Sequence, residues 1–240
     1  MDAKAPTTPE RVLRWDGCVN VRDLGGLPLA GGGETAYRVV VRADSLRRLT
    51  EEGRRALVDY GVSLVVDLRA ERERDEAELP IPVQDEPMDP RGVQATWEWP
   101  TTAEAYLGYA DRYRGELART LTAIGLADAP VAVHCAGGRD RTGIACGMAL
   151  WLAGVEPDTI AADHASSDDN LAPFNAGWVE QAPDHAERER RRRITGPLGR
   201  SLADVLEEIE ATDGIRARLL GAGADEAALD RLVARLRGEA

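Results

Sequence analysis

A chain of 240 residues with 43% apolar side chains can bury a sizeable core, and its 42 acidic against 30 basic residues give a net charge of -12, the wrong sign for tracking a nucleic-acid backbone. Cys18, Cys135 and Cys146 are too few and too far apart for a disulfide framework, and no C-x-x-C pair suggests zinc. The N-terminus lacks a signal-peptide core and no apolar run is long enough for a membrane helix, so a cytoplasmic protein is expected, with leaderless export still open.

Residues 1 to about 10 carry Pro6 and Pro9 among small polar residues and are expected to be a disordered tail, with residues 11–240 forming one domain. β-like segments at Cys18 to Arg22 and Tyr37 to Val41, joined by a glycine-rich stretch, read as an N-terminal hairpin. Thr50, Glu51 and Glu52 form a helix start, and Gly61 stops that helix. The run Val62 to Leu68, nearly all apolar and rich in valine, suits a central strand covered on both faces, which makes the sheet at least partly parallel.

Three prolines and the pair Trp97 and Trp99 make residues 85–100 a loop, the kind of segment that walls a pocket. From Thr102 to Leu126, residues Tyr106, Tyr109, Tyr113, Leu117, Leu121 and Ile124 recur every three or four positions, which predicts one long helix with a core-facing stripe. A short strand of sequence VAVH then leads through a turn into an apolar helix opened by Thr142 and ended by Gly154. The basic run Arg188 to Arg193 reads as a solvated helix face rather than a docking patch, and the last quarter is helical, ending in a stripe of Leu229, Leu232, Val233 and Leu236.

The chemistry sits in HCAGGRDRTG, His134 to Gly143, where Cys135 and Arg141 are separated by five residues. A loop of this length leaving a strand and entering a helix can turn the amides of Ala136, Gly137, Gly138, Arg139, Asp140 and Arg141 toward one anion, aided by the helix dipole. Arg141 supplies a planar fork for two phosphoryl oxygens. The same donors favour a thiolate at Cys135, ready to attack phosphorus and form a phosphocysteine that water hydrolyses. Gly137 and Gly138 allow close approach, Thr142 is placed to donate to the sulfur or cap the helix, and His134 to orient a loop carbonyl. Asp67, at the carboxyl end of its strand, is a candidate general acid or a structural partner of Arg69. No step asks for a metal or cofactor; the partner is a phosphomonoester.

This pattern resembles the bacterial protein-tyrosine phosphatase family typified by the mycobacterial secreted tyrosine phosphatase B, whose loop reads HCxxGKDRTG. The likeness continues in NVRDLGGL, YRVVVRADSLRRLTEEG, VVDLR, ADHASSDDNL and the C-terminal GIRARLLGAGADEAALDRLVARL. It implies an α/β fold with a mostly parallel sheet of four to five strands flanked by helices and a helical C-terminal part. It also implies Cys135 as nucleophile, Arg141 as phosphate clamp and Asp140 as in-loop general acid; Asp23, Arg22, Arg42 and Asp44 lie in matching motifs, either as supports of the pocket or equally as surface or hairpin residues. Members act on phosphotyrosine, and some on phosphoserine, phosphothreonine or phosphoinositides; Arg139 stands where the family usually has a lysine linked to lipid acceptance. The readings left open are a dual-specificity enzyme, a phosphoinositide phosphatase on the same scaffold, and a phosphate-binding module without turnover.

Overall fold

The computed structural model describes residues 10–74, 78–93, 102–197 and 199–239. All but the last residue of the expected disordered tail lies outside them, as do Trp97 and Trp99.

The sheet follows from short valine-rich segments that alternate their side chains between two faces. Its strands are β1 (Arg22–Asp23), β2 (Val40–Ala43), β3 (Leu64–Asp67), β4 (Val83–Asp85) and β5 (Val131–His134). They lie in the order β1-β2-β5-β3-β4, with only β1 antiparallel to its neighbour. In β5, Val131 and Val133 face the larger core, whereas Ala132 joins Trp15, Val41, Leu57 and Val65 on the other side. Each face therefore excludes water at the centre of the sheet, and β5 is buried along its whole length.

Helix α1 (Glu51–Asp59) covers the smaller core, and its N-cap forms as the sequence predicts: the Thr50 hydroxyl accepts from the Gly53 amide at 3.2 Å. On the other face lie α2 (Thr102–Arg112), α3 (Arg114–Leu126), α4 (Asp140–Ala153) and α5 (Pro157–Glu180). Chain order continues with α6 (His185–Ile194), α7 (Ser201–Thr212), α8 (Ile215–Gly221) and α9 (Glu226–Arg237). Among the described residues, no helix is long and apolar enough to cross a membrane.

Four local expectations are corrected. The hairpin strands pair as expected but are shorter and lie further along the chain, because the backbone of Val19 and Asn20 is bound by the Asp44 carboxylate instead of a strand. The helix over 102–126 is two helices, broken at Tyr113, whose backbone leaves the helical region (φ -111°) while its hydroxyl donates to the Asp89 carbonyl at 2.7 Å. On both sides of the break the stripe residues Tyr106, Tyr109, Leu117, Leu121 and Ile124 are buried in the same core. Strand β4, whose last residue Asp85 falls in the loop expected over 85–100, has no counterpart among the expected strands: it is three residues long and exposed at both ends, so it carries no apolar alternation to detect. Finally, α4 opens at Asp140, two residues before Thr142, with Arg139 in the capping position.

Helix α3 meets α9 closely because residue 125 has no side chain: a Cβ on Gly125 would stand 2.6 Å from the Ala228 carbonyl carbon. Gly125→Ala should therefore force the two helices apart at a cost of about 1–3 kcal/mol. Thermal unfolding should register a Tm roughly 2–10 °C lower. Gly221→Ala, whose Cβ would meet open space, should leave Tm within a degree or two.

Candidate active site

Strands β2, β5 and β3 run parallel and end together, so the segments after Ala43, His134 and Asp67 meet at one edge of the sheet. That is where parallel sheets present ligand sites. The turn from Cys135 to Arg139 crosses this edge and delivers the chain into α4.

What fixes the turn is the fate of its carbonyls. The Ala136 oxygen accepts from the Ser45 amide at 3.2 Å, and the Gly137 and Gly138 oxygens accept from the Asn20 side-chain amide at 3.0 and 3.3 Å. Arg42 donates to Gly138 O at 2.9 Å, while the Arg139 oxygen takes the Gly143 amide at 2.8 Å as α4 begins. Every carbonyl from 136 to 139 is thus held on the protein side. None of the amides of Ala136, Gly137, Gly138 and Arg139 donates to a described residue. Gly138 sits at φ +66°, and a Cβ there would lie 2.6 Å from the Asp44 amide, so the turn can press against the end of β2 only as glycine.

Two of those donors are tied to one buried anion, Arg42 directly and Asn20 through Arg22. Asp163, in α5, accepts from Arg22 Nε at 3.0 Å and from Arg42 at 2.9 Å, and is also paired with Arg11. Its carboxyl is buried, which alone would raise its pKa, but Arg22 and Arg42 overcome this and hold it far below the ordinary carboxylate range. Arg22 also fixes the Asn20 side chain, donating to its oxygen at 2.7 Å. Asp163 thereby aims both Arg42 and Asn20 at the turn.

Cys135 is 2% exposed and lies at the floor of a cavity of about 870 Å³ lined among others by Ser45, Arg69, Tyr109, Leu171, Phe174 and Trp178. Arg141 lines the same cavity, with both terminal nitrogens held by Glu73 at 2.5 and 3.0 Å and one of them reaching the Met88 carbonyl at 3.2 Å. Its Nε has no acceptor among the described residues. Burial works against the charge of Arg141, but Cys135 and Glu73 beside it more than offset that and keep the guanidinium cationic. Asp140 also lines the cavity and accepts from the Tyr106 hydroxyl at 3.1 Å, which in turn lies 2.6 Å from His164 Nε2. A Cβ on Gly143 would stand 2.7 Å from His164 Nδ1, so this ring fits against α4 only because residue 143 is glycine.

The remaining candidates divide. His134 is buried and, with burial drawing its pKa down to about 4, neutral; its Nδ1 lies 3.4 Å from the Cys135 carbonyl. Thr142 is buried with its hydroxyl unpartnered among the described residues, so it neither donates to the sulfur nor caps the helix. Asp67 is bound by Arg69 through contacts of 2.8 to 3.1 Å and stands 3.6 Å from His134; burial raises its pKa but the Arg69 hydrogen bonds draw it below the usual value. It is a structural partner of Arg69 and lies away from the main cavity.

Asp23 does not support the cavity: it accepts from the amides of Gly25 and Arg38 and from the Tyr60 hydroxyl, bracing the hairpin. Arg139 turns its guanidinium from the turn to the carbonyls of Ile194 and Gly196 and to Asp168, so its charge ties down the end of α6. The arginine run is largely a network on one helix, Arg190 and Arg191 binding Glu187 and Arg192 binding Glu189, with Arg190 also reaching the cavity wall.

Sequence reasoning passed over Asn20, Glu73, Tyr106, Asp163 and His164. The first, fourth and fifth lie within stretches quoted for the family likeness, but their partners are 58 or more residues away. Tyr106 was read as core, and it is buried; its hydroxyl gave no separate signal.

At the carboxyl edge of a mostly parallel sheet, a cysteine thus sits in a turn whose amides are unpaired among the described residues, followed by an arginine on the first turn of a helix. The chain belongs to the tyrosine phosphatase family, whose model matches residues 13–238. It is 27% identical to a tyrosine-protein phosphatase of Nostoc commune over 219 residues, 82% of this chain and 73% of the relative. To the triple specificity protein phosphatase PtpB of Mycobacterium tuberculosis it is 26% identical over 243 aligned residues, 80% of this chain and 88% of the relative.

Replacing the hub carboxylate tests this support. Asp163→Asn leaves Arg22 and Arg42 buried without their counter-ion, a loss of about 3–5 kcal/mol. Because the folded carboxyl titrates below its unfolded value of about 3.9, its contribution is present above that pH and fades as pH falls beneath it. Denaturant titrations from pH 7 to pH 2 should therefore show the wild-type advantage over Asp163→Asn shrinking below about pH 4. An advantage that persists undiminished to pH 2 would contradict the hub.

Proposed function

We propose that this tyrosine phosphatase hydrolyses phosphotyrosine through a phosphocysteine on Cys135. The observation that carries the reading is the carbonyl arrangement of the turn: with every oxygen from 136 to 139 tied to the protein, the unpaired amides can serve as donors to a tetrahedral dianion seated over the sulfur. Arg141, aimed by Glu73, adds its Nε edge to the phosphoryl oxygens. Tyr109, Phe174 and Trp178 offer an apolar wall for an aromatic ring.

In the first step the Cys135 thiolate attacks phosphorus in line, the P–O bond to the leaving phenol breaks, and Asp140 gives that oxygen a proton. Water then attacks the phosphocysteine, Asp140 takes back a proton, and the thiolate leaves with inorganic phosphate released. The pairing of Asp67 with Arg69 disfavours it for this role, since its carboxyl is held in the ionised form. The chemistry needs a free thiol, which fits a reducing cytoplasm. The family match supports one catalytic domain across residues 11–240. The breadth of the cavity and the arginines in its wall favour a second reading, that bulkier phosphomonoesters, phosphoserine peptides or phosphoinositides among them, are also accepted.

Turnover of p-nitrophenyl phosphate should be measurable for the wild type and fall at least about a thousandfold in Cys135→Ser and in Arg141→Ala. Mass spectrometry of the acid-quenched wild type should find phosphate on Cys135. Undiminished turnover by Cys135→Ser would eliminate the covalent route, and absence of turnover in the wild type would favour a binding module.

A further inference from the structure

We propose that Tyr106 is a positioning residue that selects which oxygen of Asp140 carries the transferable proton, and that Arg42 and His164 set the direction of the hydrogen-bond chain reaching it. The proposal rests on the reading of Asp140 as general acid.

The direction follows from which groups can only donate. An arginine nitrogen has no lone pair to offer, so at the 3.4 Å contact between Arg42 and His164 Nδ1 the ring nitrogen must accept. His164 is fully buried, and burial together with Arg42 keeps it neutral, leaving one ring proton, which must then sit on Nε2. Nε2–H points at the Tyr106 oxygen 2.6 Å away, which therefore accepts. The phenol proton is left to donate, and its partner is Asp140 Oδ1 at 3.1 Å. Burial holds the Tyr106 pKa well above its ordinary value, so this donor keeps its proton throughout the working range.

An oxygen that accepts from a phenol is a poor seat for the acid proton, which would have to share the same line. The proton of Asp140 is consequently placed on Oδ2. As the P–O bond breaks and the P–S bond to Cys135 forms, Oδ2 passes its proton to the phenolate oxygen. In the second step Oδ2 recovers a proton from the attacking water, the P–S bond breaks, and the thiolate is restored. Tyr106, His164 and Arg42 exchange no proton in either step. Arg42 serves two ends, because the nitrogen that faces His164 also binds the Gly138 carbonyl. The amide ring and the acid are thereby set from one guanidinium.

The test compares kcat/KM for phenyl phosphate, whose leaving group needs a proton, with 2,4-dinitrophenyl phosphate, whose leaving group does not. Asp140→Asn is measured first: a loss concentrated on phenyl phosphate supports Asp140 as the acid, and equal losses on both esters would overturn that underlying reading. Given that result, Tyr106→Phe should lose about tenfold more on phenyl phosphate than on the dinitrophenyl ester. It should add little to that ratio in an Asp140→Asn background. His164→Gln, which can still present an N–H toward Tyr106, should retain more of the ratio than His164→Leu. If Tyr106→Phe lowers both esters equally while Asp140→Asn does not, Tyr106 is a packing residue and the proposal falls. A Tm for each variant separates loss of fold from loss of proton delivery.

Discussion

The buried ion pair between Asp163 and Arg42 is the constraint on which the site depends. A charged pair taken from water stabilises a fold only when its geometry is good and its other polar atoms are satisfied. Here the guanidinium binds Asp163 at one terminal nitrogen and, at the other, meets the Gly138 carbonyl and the ring of His164. Asp163 is shared with Arg22, which orients Asn20 toward the Gly137 carbonyl and the same Gly138 carbonyl. The turn between β5 and α4 would otherwise be free to rotate its peptides. Tying the oxygens back fixes the amides without any direct contact to them.

From this follows the position of the other active-site groups. The parallel register of β2, β5 and β3 brings Asp44, Cys135 and Leu68 to one edge, and α4 starts there with its first turn carrying Asp140 and Arg141. Glu73 approaches Arg141 from the segment after β3, so the cation is aimed by an element of the sheet's opposite side from Arg42. Glycines at 138 and 143 are required for contact: one lets the turn meet the end of β2, the other lets His164 meet α4. Two parts of a single motif thus owe their residue type to different neighbours.

The motif itself was legible because its parts are contiguous. A valine-rich strand, a cysteine, glycines, an arginine six residues on and an apolar helix form one local unit, and local signals also placed the cap at Thr50. What holds the unit was not legible by the same means. Asp163 looks like any acidic residue of a polar helix until Arg22 and Arg42 are brought to it across more than 100 residues of chain. Asp67 and Asp23 left two readings open in the sequence, because both carboxylates stand near strand ends as an active-site group would; nearby donors, Arg69 for one and Tyr60 with two amides for the other, favour the structural one. The split between α2 and α3 was hidden because Tyr113 keeps the stripe's spacing while its backbone leaves the helix.

The account's central claim is that the turn after β5 is an anion cradle with Cys135 beneath it. A crystal structure with orthovanadate tests this most directly. The account predicts vanadium bonded to Cys135 Sγ, equatorial oxygens met by the amides of residues 136–141 and by Arg141, and the carbonyls of Gly137 and Gly138 still on Asn20 and Arg42. Vanadate bound away from the sulfur, or carbonyl oxygens facing it, would contradict the claim.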